Sequence, residues 1–489
     1  MKLSTTWMAK AQKRSPLQKA ATKQWFWLAV FGLSLASLLS FSGGRLLADA
    51  DTLWHIAAGE WIISNHAVPM TDPFSFSFRG EKWITHEWLA EVILAIGYAW
   101  LGWAGPVLVA ALAAGLTLTM LLRFLLRYIE PLHAAAGVAL AFLTLAQHLL
   151  ARPHTLAWPL LVVWASPLVL ARERGERPSP WLLVVMLVWA NLHASFLLGI
   201  VLASALAFEA VLMDGKPVQA AKAWAPFLAL TVLMGLMTPN GMDGLFFVFH
   251  VSNMPYALSI ISEWQPPEFR LFQPIVLWLV FLLFGALYFG FRLPATRIAM
   301  VFGLVYLALT SVRYAELPGL LAPLLLLPSV APQLRAAIRP EVKLLPSLQR
   351  LRATTLLCTI LVLCSAAFLA HGINRDDGPT FPTNAVRAAK AAGGSGPVFN
   401  SYNFGGYLIF SGIAPVIDGR ADLYGDNFVR RYMEAYSGNG EVLEALIADY
   451  KITWAVLEPS SPAAAVINGF PGWKKVHEDA VAVAYVRDK

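Results

Sequence analysis

The chain has 489 residues, 57% of them hydrophobic and only 14% charged, with a mean hydropathy of +0.59. A soluble globule needs about a quarter of its residues charged, so that class is excluded. The formal net charge is +7, and where those positives lie decides whether an acidic partner such as nucleic acid is needed to explain them.

A hydrocarbon core takes roughly 17–25 apolar residues per helix, fewer where helices are buried in a bundle. Taken in chain order, the apolar runs predict about eleven transmembrane helices. They lie near 25–42, 104–122, 133–150, 155–171, 180–195, 197–213, 224–239, 275–291, 298–312, 315–331 and 354–371. The stretch 180–213 also reads as one long buried helix, which leaves the count open. The first run follows a long basic leader and precedes no convincing small-residue cleavage site, so it reads as a retained span and not a signal peptide.

The leader, 1–24, carries Lys2, Lys10, Lys13, Arg14, Lys19 and Lys23. Cytoplasmic loops collect Lys and Arg because translocating them is unfavourable. With the leader inside, alternate loops hold Arg123/Arg127, Arg172/Arg174/Arg177, Lys216/Lys222, Arg292/Arg297, and finally Arg335, Arg339, Lys343, Arg350 and Arg352. Every loop on that side is basic. This predicts a multi-pass protein of the inner (plasma) membrane with a cytoplasmic N-terminus and an exoplasmic, or periplasmic, C-terminus. The positives are then orientation signals, and no nucleic acid is implied. Cys358 and Cys364 share the last span six residues apart and point in different directions, so no disulfide is expected. No Walker-type phosphate loop and no solenoid repeat is present.

The predicted exoplasmic loop 43–103 opens with "LLADADTLWHIAAGEW". It holds Asp49, Asp51, His55, Asp72, His86, Glu87 and Glu91, with Trp54, Trp61, Trp83, Trp88, Trp100 and Trp103. Tryptophans at this density suit helices lying at the membrane surface. Asp51 and His55 are one turn apart and share a helix side. Asp51 also reads as a cap for that helix, which accounts for one acid but not two. "HEW" at His86 lacks the second His of a zinc-protease motif. "HAVPMTDPFSFSFRGEKWITHEW" reads as a turn, a short hairpin and a second helix start.

Polar groups recur at the other borders on that side: His148, Arg152 and His154, then Asn191 and His193, Asn240, Glu263 and Glu268, and finally Arg313 and Glu316. Each alone reads equally as a local hydrogen bond or a snorkelling side chain. Grouped on one side, they outline a polar cavity opening outward.

From 372 to 489 the sequence is that of a small soluble domain. Short apolar strands alternate with helical runs, an α/β pattern. In "VIDGRADLYG", Asp418, Arg420 and Asp422 follow a strand, where ligand-facing groups of α/β folds sit; a salt-bridged turn is the other reading. Asp418 and Arg420 are expected to face the membrane cavity. The predicted fold is therefore a polytopic α-helical membrane domain, 25–371, with a C-terminal exoplasmic α/β domain, 372–489.

An acidic pair after the first span, an outer loop with surface helices, about eleven spans and an outer α/β domain together resemble the GT-C glycosyltransferases. "ADADTLWH" is similar to the acidic motif of oligosaccharyltransferase catalytic subunits, and "NSYNFGGYL" is more loosely similar to their Trp-Trp-Asp-Tyr-Gly element. A distant similarity to protein mannosyltransferases belongs to the same resemblance. The second acidic motif of the oligosaccharyltransferases is missing, its loop offering Arg152 and His154 instead. The aspartate of the outer element is missing too, with Asn403 nearest, so sequon binding is not carried over.

The resemblance implies an inverting hexosyl or pentosyl transfer from a polyprenyl-phosphate sugar to a glycan, lipid or protein acceptor, as in cell-envelope polysaccharide assembly. Asp51 or Asp49 would be the general base. His55, Asp72, His86, Glu87, Arg152, His154, Asn191, His193, Glu263, Arg313, Asp418 and Arg420 are the candidate binding residues. Among them Arg152, His154, Arg313 and Arg420 would face the leaving phosphate. A divalent ion (Mg2+ or Mn2+) enters only through the resemblance, and the missing second acidic motif argues against it. The rival readings are a transporter or lipid flippase, disfavoured by the absence of repeated halves and midplane polar groups, and a non-catalytic partner in a polysaccharide assembly complex.

Overall fold

The computed structural model describes residues 16–213, 215–337, 348–373, 375 and 378–488, with side chains described from 24 to 334 and from 352 onward. The leader residues Lys2, Lys10, Lys13 and Arg14 and the loop residues Arg339 and Lys343 fall outside the described residues, as do the side chains of Lys19, Lys23, Arg335 and Arg350.

Helix α1 (Pro16–Ser40) carries the first apolar run, and the single turn α2 (Gly43–Leu46) follows it. The loop 43–103 contains α3 (Asp51–Asn65) and α4 (Trp88–Leu101). Next come α5 (Ala104–Leu125), α6 (Pro131–Leu145), α7 (Pro153–Arg174), α8 (Leu182–Leu192), α9 (Phe196–Met213) and α10 (Pro217–Leu236). Helices α11 (Gly241–Ser252) and α12 (Pro255–Ile260) follow, before α13 (Pro274–Phe289), α14 (Ala295–Thr310), α15 (Glu316–Ala337) and α16 (Leu348–Ala370). Each predicted span falls on one of these helices. Among the described residues, six are long and apolar enough to cross a bilayer; the other predicted spans are shorter apolar helices.

Proline begins α6, α7, α10 and α13, where its missing N–H would have had no partner. The stretch 180–213 is two helices and not one. His193 is extended (φ −166°), and the Trp189 indole and the His193 ring both meet the Ser195 hydroxyl, at 2.9 and 2.8 Å, across the break. Helix α5 lies at the centre of the bundle against α1, α4, α6, α7 and α15. Its buried small residues Ala110, Ala111, Ala114 and Gly115 allow those close approaches. Helix α3 packs on α4 with Gly59 so close to the Glu91 backbone that an added Cβ would overlap it. That contact sets His55 beside Glu91.

At the end of the bundle away from α3, four charges meet. Arg297 is fully buried, donating to Glu209 at 2.6 and 2.9 Å and to Glu173 at 3.1 Å, while Arg172 pairs with Glu209 at 3.0 Å. Reading Arg297 as a plain orientation signal is therefore incomplete: its guanidinium ties α14 to α7 and α9. Cys358 and Cys364 are both free.

Beyond α16, the C-terminal domain (called outer after its expected side) holds α17 (Thr383–Ala391), β1 (Val398–Asn400), α18 (Gly405–Phe410), α19 (Ala421–Tyr436), α20 (Gly440–Asp449), β2 (Trp454–Leu457), α21 (Pro462–Asn468), β3 (Trp473–Glu478) and β4 (Val483–Arg487). The strand order is β1-β2-β4-β3, with β1 and β2 parallel and the other pairs antiparallel. Alternation along β2 sends Trp454 and Val456 toward α17 and α18, and Ala455 and Leu457 toward α19–α21. The second of these cores also contains Trp54, Trp83 and Ala257, so it continues into the loops of the membrane domain. The strand expected before Asp418 is only a single bridge, Val398 to Pro415. The short hairpin expected within 66–88 is likewise one bridge, Thr71 to Lys82.

Candidate functional site

The acids at the start of α3 sit where they do because three backbone ties hold that turn. The Asp51 N–H donates to Asp49 Oδ1 at 2.7 Å, the Ala151 N–H to the Leu46 carbonyl at 2.7 Å, and the Thr52 hydroxyl to the Ala151 carbonyl at 3.2 Å. The capping expectation is reversed. Asp49 satisfies the local N–H, which leaves the Asp51 carboxylate for longer-range partners.

The same ties bring in Arg152. Pro153 disfavours a helical conformation at the residue before it, and Arg152 is extended (φ −130°, ψ 161°). Its guanidinium lies 3.2 Å from Asp49 Oδ2 and 2.8 Å from Asp51 Oδ2, and also bonds Glu263 Oε1. Glu263 comes from a 3-10 turn, Ser262–Trp264, anchored when the Ser311 hydroxyl donates to its carbonyl at 2.9 Å. Arg313 pairs with Glu263 Oε2 at 2.9 Å and lies 4.9 Å over the Trp264 ring. Three carboxylates thus face two guanidiniums.

These environments separate the acids. Burial, with Asp49 and Glu263 nearby, raises Asp51 to about 7 against the pull of Arg152. Burial opposes ionisation of Glu263 as well, but Arg152 and Arg313 outweigh it and hold Glu263 at about 2. Burial alone would lower Arg152; its carboxylates, Asp49 foremost, push it well above the usual range.

A cavity of about 430 Å³ opens beside this cluster. Asp49, Asp51, Arg152, Glu263 and Arg313 line one side, and His55, His86, Glu87 and Glu91 another. Glu87 is the hub of that second group, with His193 at 3.2 Å, His86 at 3.6 Å and His55 at 3.9 Å. Burial disfavours charge on both His86 and Glu87, but their mutual attraction wins, raising His86 and holding Glu87 well below its ordinary value. His55, with burial dominant, falls to about 3. Burial and the Glu87 charge push Glu91 well above the carboxylate range.

The outer domain closes the cavity from above. An added Cβ at Gly406 would overlap the Ala50 carbonyl, and one at Gly419 would overlap Asp51 Oδ1. Backbone of the outer domain therefore lies directly on the acidic turn. Arg420 lines the cavity while its guanidinium is held by Asp418 (2.8 and 2.7 Å) and Asp72 (2.7 Å), 4.7 Å from the Trp83 ring. Asp418 and Asp72 do not line the cavity, contrary to the expectation for Asp418. They are sealed beneath it as a clamp between the 66–87 loop and the outer domain, with the Tyr424 hydroxyl donating to Asp418 at 2.5 Å.

Three other candidates stand behind the wall. Asn191 accepts from the Trp88 indole at 2.9 Å and donates to the Met237 carbonyl at 3.0 Å. His193 reaches Glu87 without lining the cavity, and His154 bonds the His148 carbonyl at 2.7 Å. Residues not picked out as candidates also line it: Trp54, Trp83, Tyr402 and, from the α11–α12 segment, Phe247, Met254 and Ala257. The tryptophans were visible as surface aromatics. Nothing in the spacing of the α11–α12 segment links it to Asp51.

A divalent ion does not fit the acidic cluster. The oxygens of Asp49, Asp51 and Glu263 converge on the Arg152 guanidinium, which takes the position an ion would need. Among the described residues, no group of three or more His, Cys, Asp or Glu is arranged to hold a metal.

No family model matches the chain, and no curated protein matches it either. Solved structures do. An archaeal oligosaccharyltransferase, AglB from Archaeoglobus fulgidus, in complex with an inhibitory peptide and a dolichol-phosphate, matches with a TM-score of 0.53 at 11% identity, over 89% of this chain and 70% of that one. The apo form of the Archaeoglobus fulgidus oligosaccharyltransferase gives a TM-score of 0.54 at 11% identity, with the same coverage of 89% and 70%. The arabinofuranosyltransferase AftD from mycobacteria matches with a TM-score of 0.51 at 15% identity; 95% of this chain aligns with 42% of that larger protein.

Proposed function

We propose that this chain, which has the GT-C fold, is a membrane glycosyltransferase that moves a sugar from a polyprenyl-phosphate donor to an acceptor hydroxyl in the cavity. The observation that carries the reading is the Asp51 carboxylate, raised to about 7 and paired with Arg152 at 2.8 Å on the cavity wall. A general base works best when its pKa lies near the operating pH, so that it is both ionised and basic.

In this reading the acceptor O–H gives its proton to Asp51 as the oxygen bonds the anomeric carbon. The bond from that carbon to the phosphate oxygen breaks on the opposite face, so the centre inverts. The released phosphate takes the electron pair and the positive charge of Arg152, with Arg313 behind it. Arg152 then has two jobs in sequence. Before donor binding it pairs with Asp49, Asp51 and Glu263; an arriving phosphate competes for it and leaves Asp51 freer to accept a proton. Asp49 orients this turn through the Asp51 N–H. Trp54 and Trp83 supply aromatic lining to the cavity in which the sugar would sit. Acceptance of a hexosyl or a pentosyl donor is open to the same experiment.

That experiment is transfer from radiolabelled hexosyl- and pentosyl-polyprenyl phosphates, in membranes with matched protein levels. Asp51→Asn keeps the shape and removes the base, so transfer should fall at least about 10²-fold with folding intact. Asp49→Asn should be milder. Full activity in both variants and in the double variant would leave the reaction without its base.

A further inference from the structure

A groove at the end of the bundle away from the cavity has no role in this chemistry. It encloses about 220 Å³ between α5, α7 and the start of α8. Its floor is apolar, with Phe124, Val162 and Leu170, and its rim carries Arg123, Arg127 and the half-exposed Trp181.

We propose that this groove binds an anionic phospholipid, with the headgroup phosphate between Arg123 and Arg127 and the first part of an acyl chain on the apolar floor. Charge is the first argument. Three arginines at this end have carboxylates: Arg172 and Arg297 share Glu209, and Arg174 has Glu176. Arg123 and Arg127 have none among the described residues. They lie four positions apart, close enough to repel each other, and Arg123 is held 4.0 Å over the Trp25 ring instead. Two unneutralised guanidiniums at a groove mouth call for an anion, and a basic pocket between membrane helices suits a lipid headgroup.

The floor supplies the second argument. A free phosphate gains nothing from Phe124, Val162 and Leu170, whereas an acyl chain does. Ser166 adds a third. This residue lines the groove, and its Oγ is buried with no partner among the described residues. A lipid ester carbonyl beside the headgroup would accept from it. Trp181 at the rim matches the preference of indoles for the headgroup layer.

The test uses the purified full chain in detergent, incubated with equimolar phosphatidylglycerol and phosphatidylcholine and read by native mass spectrometry. Wild type should retain one phosphatidylglycerol in preference. Arg123→Gln with Arg127→Gln should lower that retention by roughly tenfold or more, with the unfolding temperature measured alongside. Val163→Trp, which keeps the arginines but fills the groove, should lower it as well. Equal retention of the two lipids, unchanged retention in both variants, or displacement of the lipid by glycerol phosphate alone would overturn the proposal. Sugar transfer does not enter the readout, so this result and that of the proposed activity stand apart.

Discussion

Arg152 and Arg297 each bind more than one carboxylate, at opposite ends of the same bundle. Arg297 is fully buried between Glu209 and Glu173, with Arg172 completing a set of two cations and two anions. Arg152 faces Asp49, Asp51 and Glu263 with help only from Arg313, and all five line a cavity. The first cluster is balanced in charge and centred on the buried Arg297 and Glu209, with Glu173 at its exposed edge, so it holds helices in register. The second carries an excess anion beside open volume, and burial together with that excess raises Asp51 to about 7. Residue types alone do not separate a structural ion cluster from a reactive one. Charge balance and access do.

The largest effect is expected where the balanced cluster is broken. Arg297→Ala leaves the buried Glu209 without its nearest cation and should cost about 3–5 kcal/mol, read as thermal unfolding in micelles. Transfer per folded molecule should be unchanged. Arg152→Ala, at a site water can enter, should destabilise far less. Equal destabilisation by the two would erase the distinction.

A smaller effect sharpens the other side. Gly419→Ala places a methyl against Asp51 Oδ1 and must move the carboxylate or the outer-domain loop. Displacing a reacting group by about 1 Å can cost on the order of 10²-fold in rate. Transfer should therefore drop at least about tenfold while the unfolding temperature holds. Wild-type rates with alanine at 419 would show that the outer domain does not constrain the base.

The smallest effect is in pH. Asp51 has a folded value of about 7 against an ordinary 3.8. Between those values the folded state binds the extra proton, so ionising Asp51 costs stability progressively as pH rises through that window. The cost is absent below about 4 and complete above about 7. Transfer should rise over the upper part of the same window as the base form fills, so rate and stability move in opposite directions. Asp51→Asn should flatten that share of the stability loss. A loss of the same slope in the variant would assign the titration to another group.

Much of the fold was legible because a bilayer demands long apolar helices whatever their neighbours. The eleven apolar runs all lie on helices, and the acids of "ADADTLWH" do border a cavity. The division of labour within that pair was not legible. Asp49, and not Asp51, bonds a backbone N–H of this turn, that of Asp51 itself, because the turn at 49–51 and the tie from Ala151 to Leu46 decide which carboxylate is free. Asp418 likewise followed the rule for strand ends, yet Arg420 draws it into a sealed clamp with Asp72.

Hydropathy and charge placement are local sums, and the sequence by itself determined what depends on them: a membrane chain, its helical segments, and a border rich in acids, imidazoles and guanidiniums. Tertiary structure alone decided what depends on distance between remote segments. Arg152 meets Asp51 from 101 positions away and Glu263 from 111. Whether such a meeting makes a reactive acid or a buried strut follows from packing, through the water and the counter-charges that packing admits or shuts out.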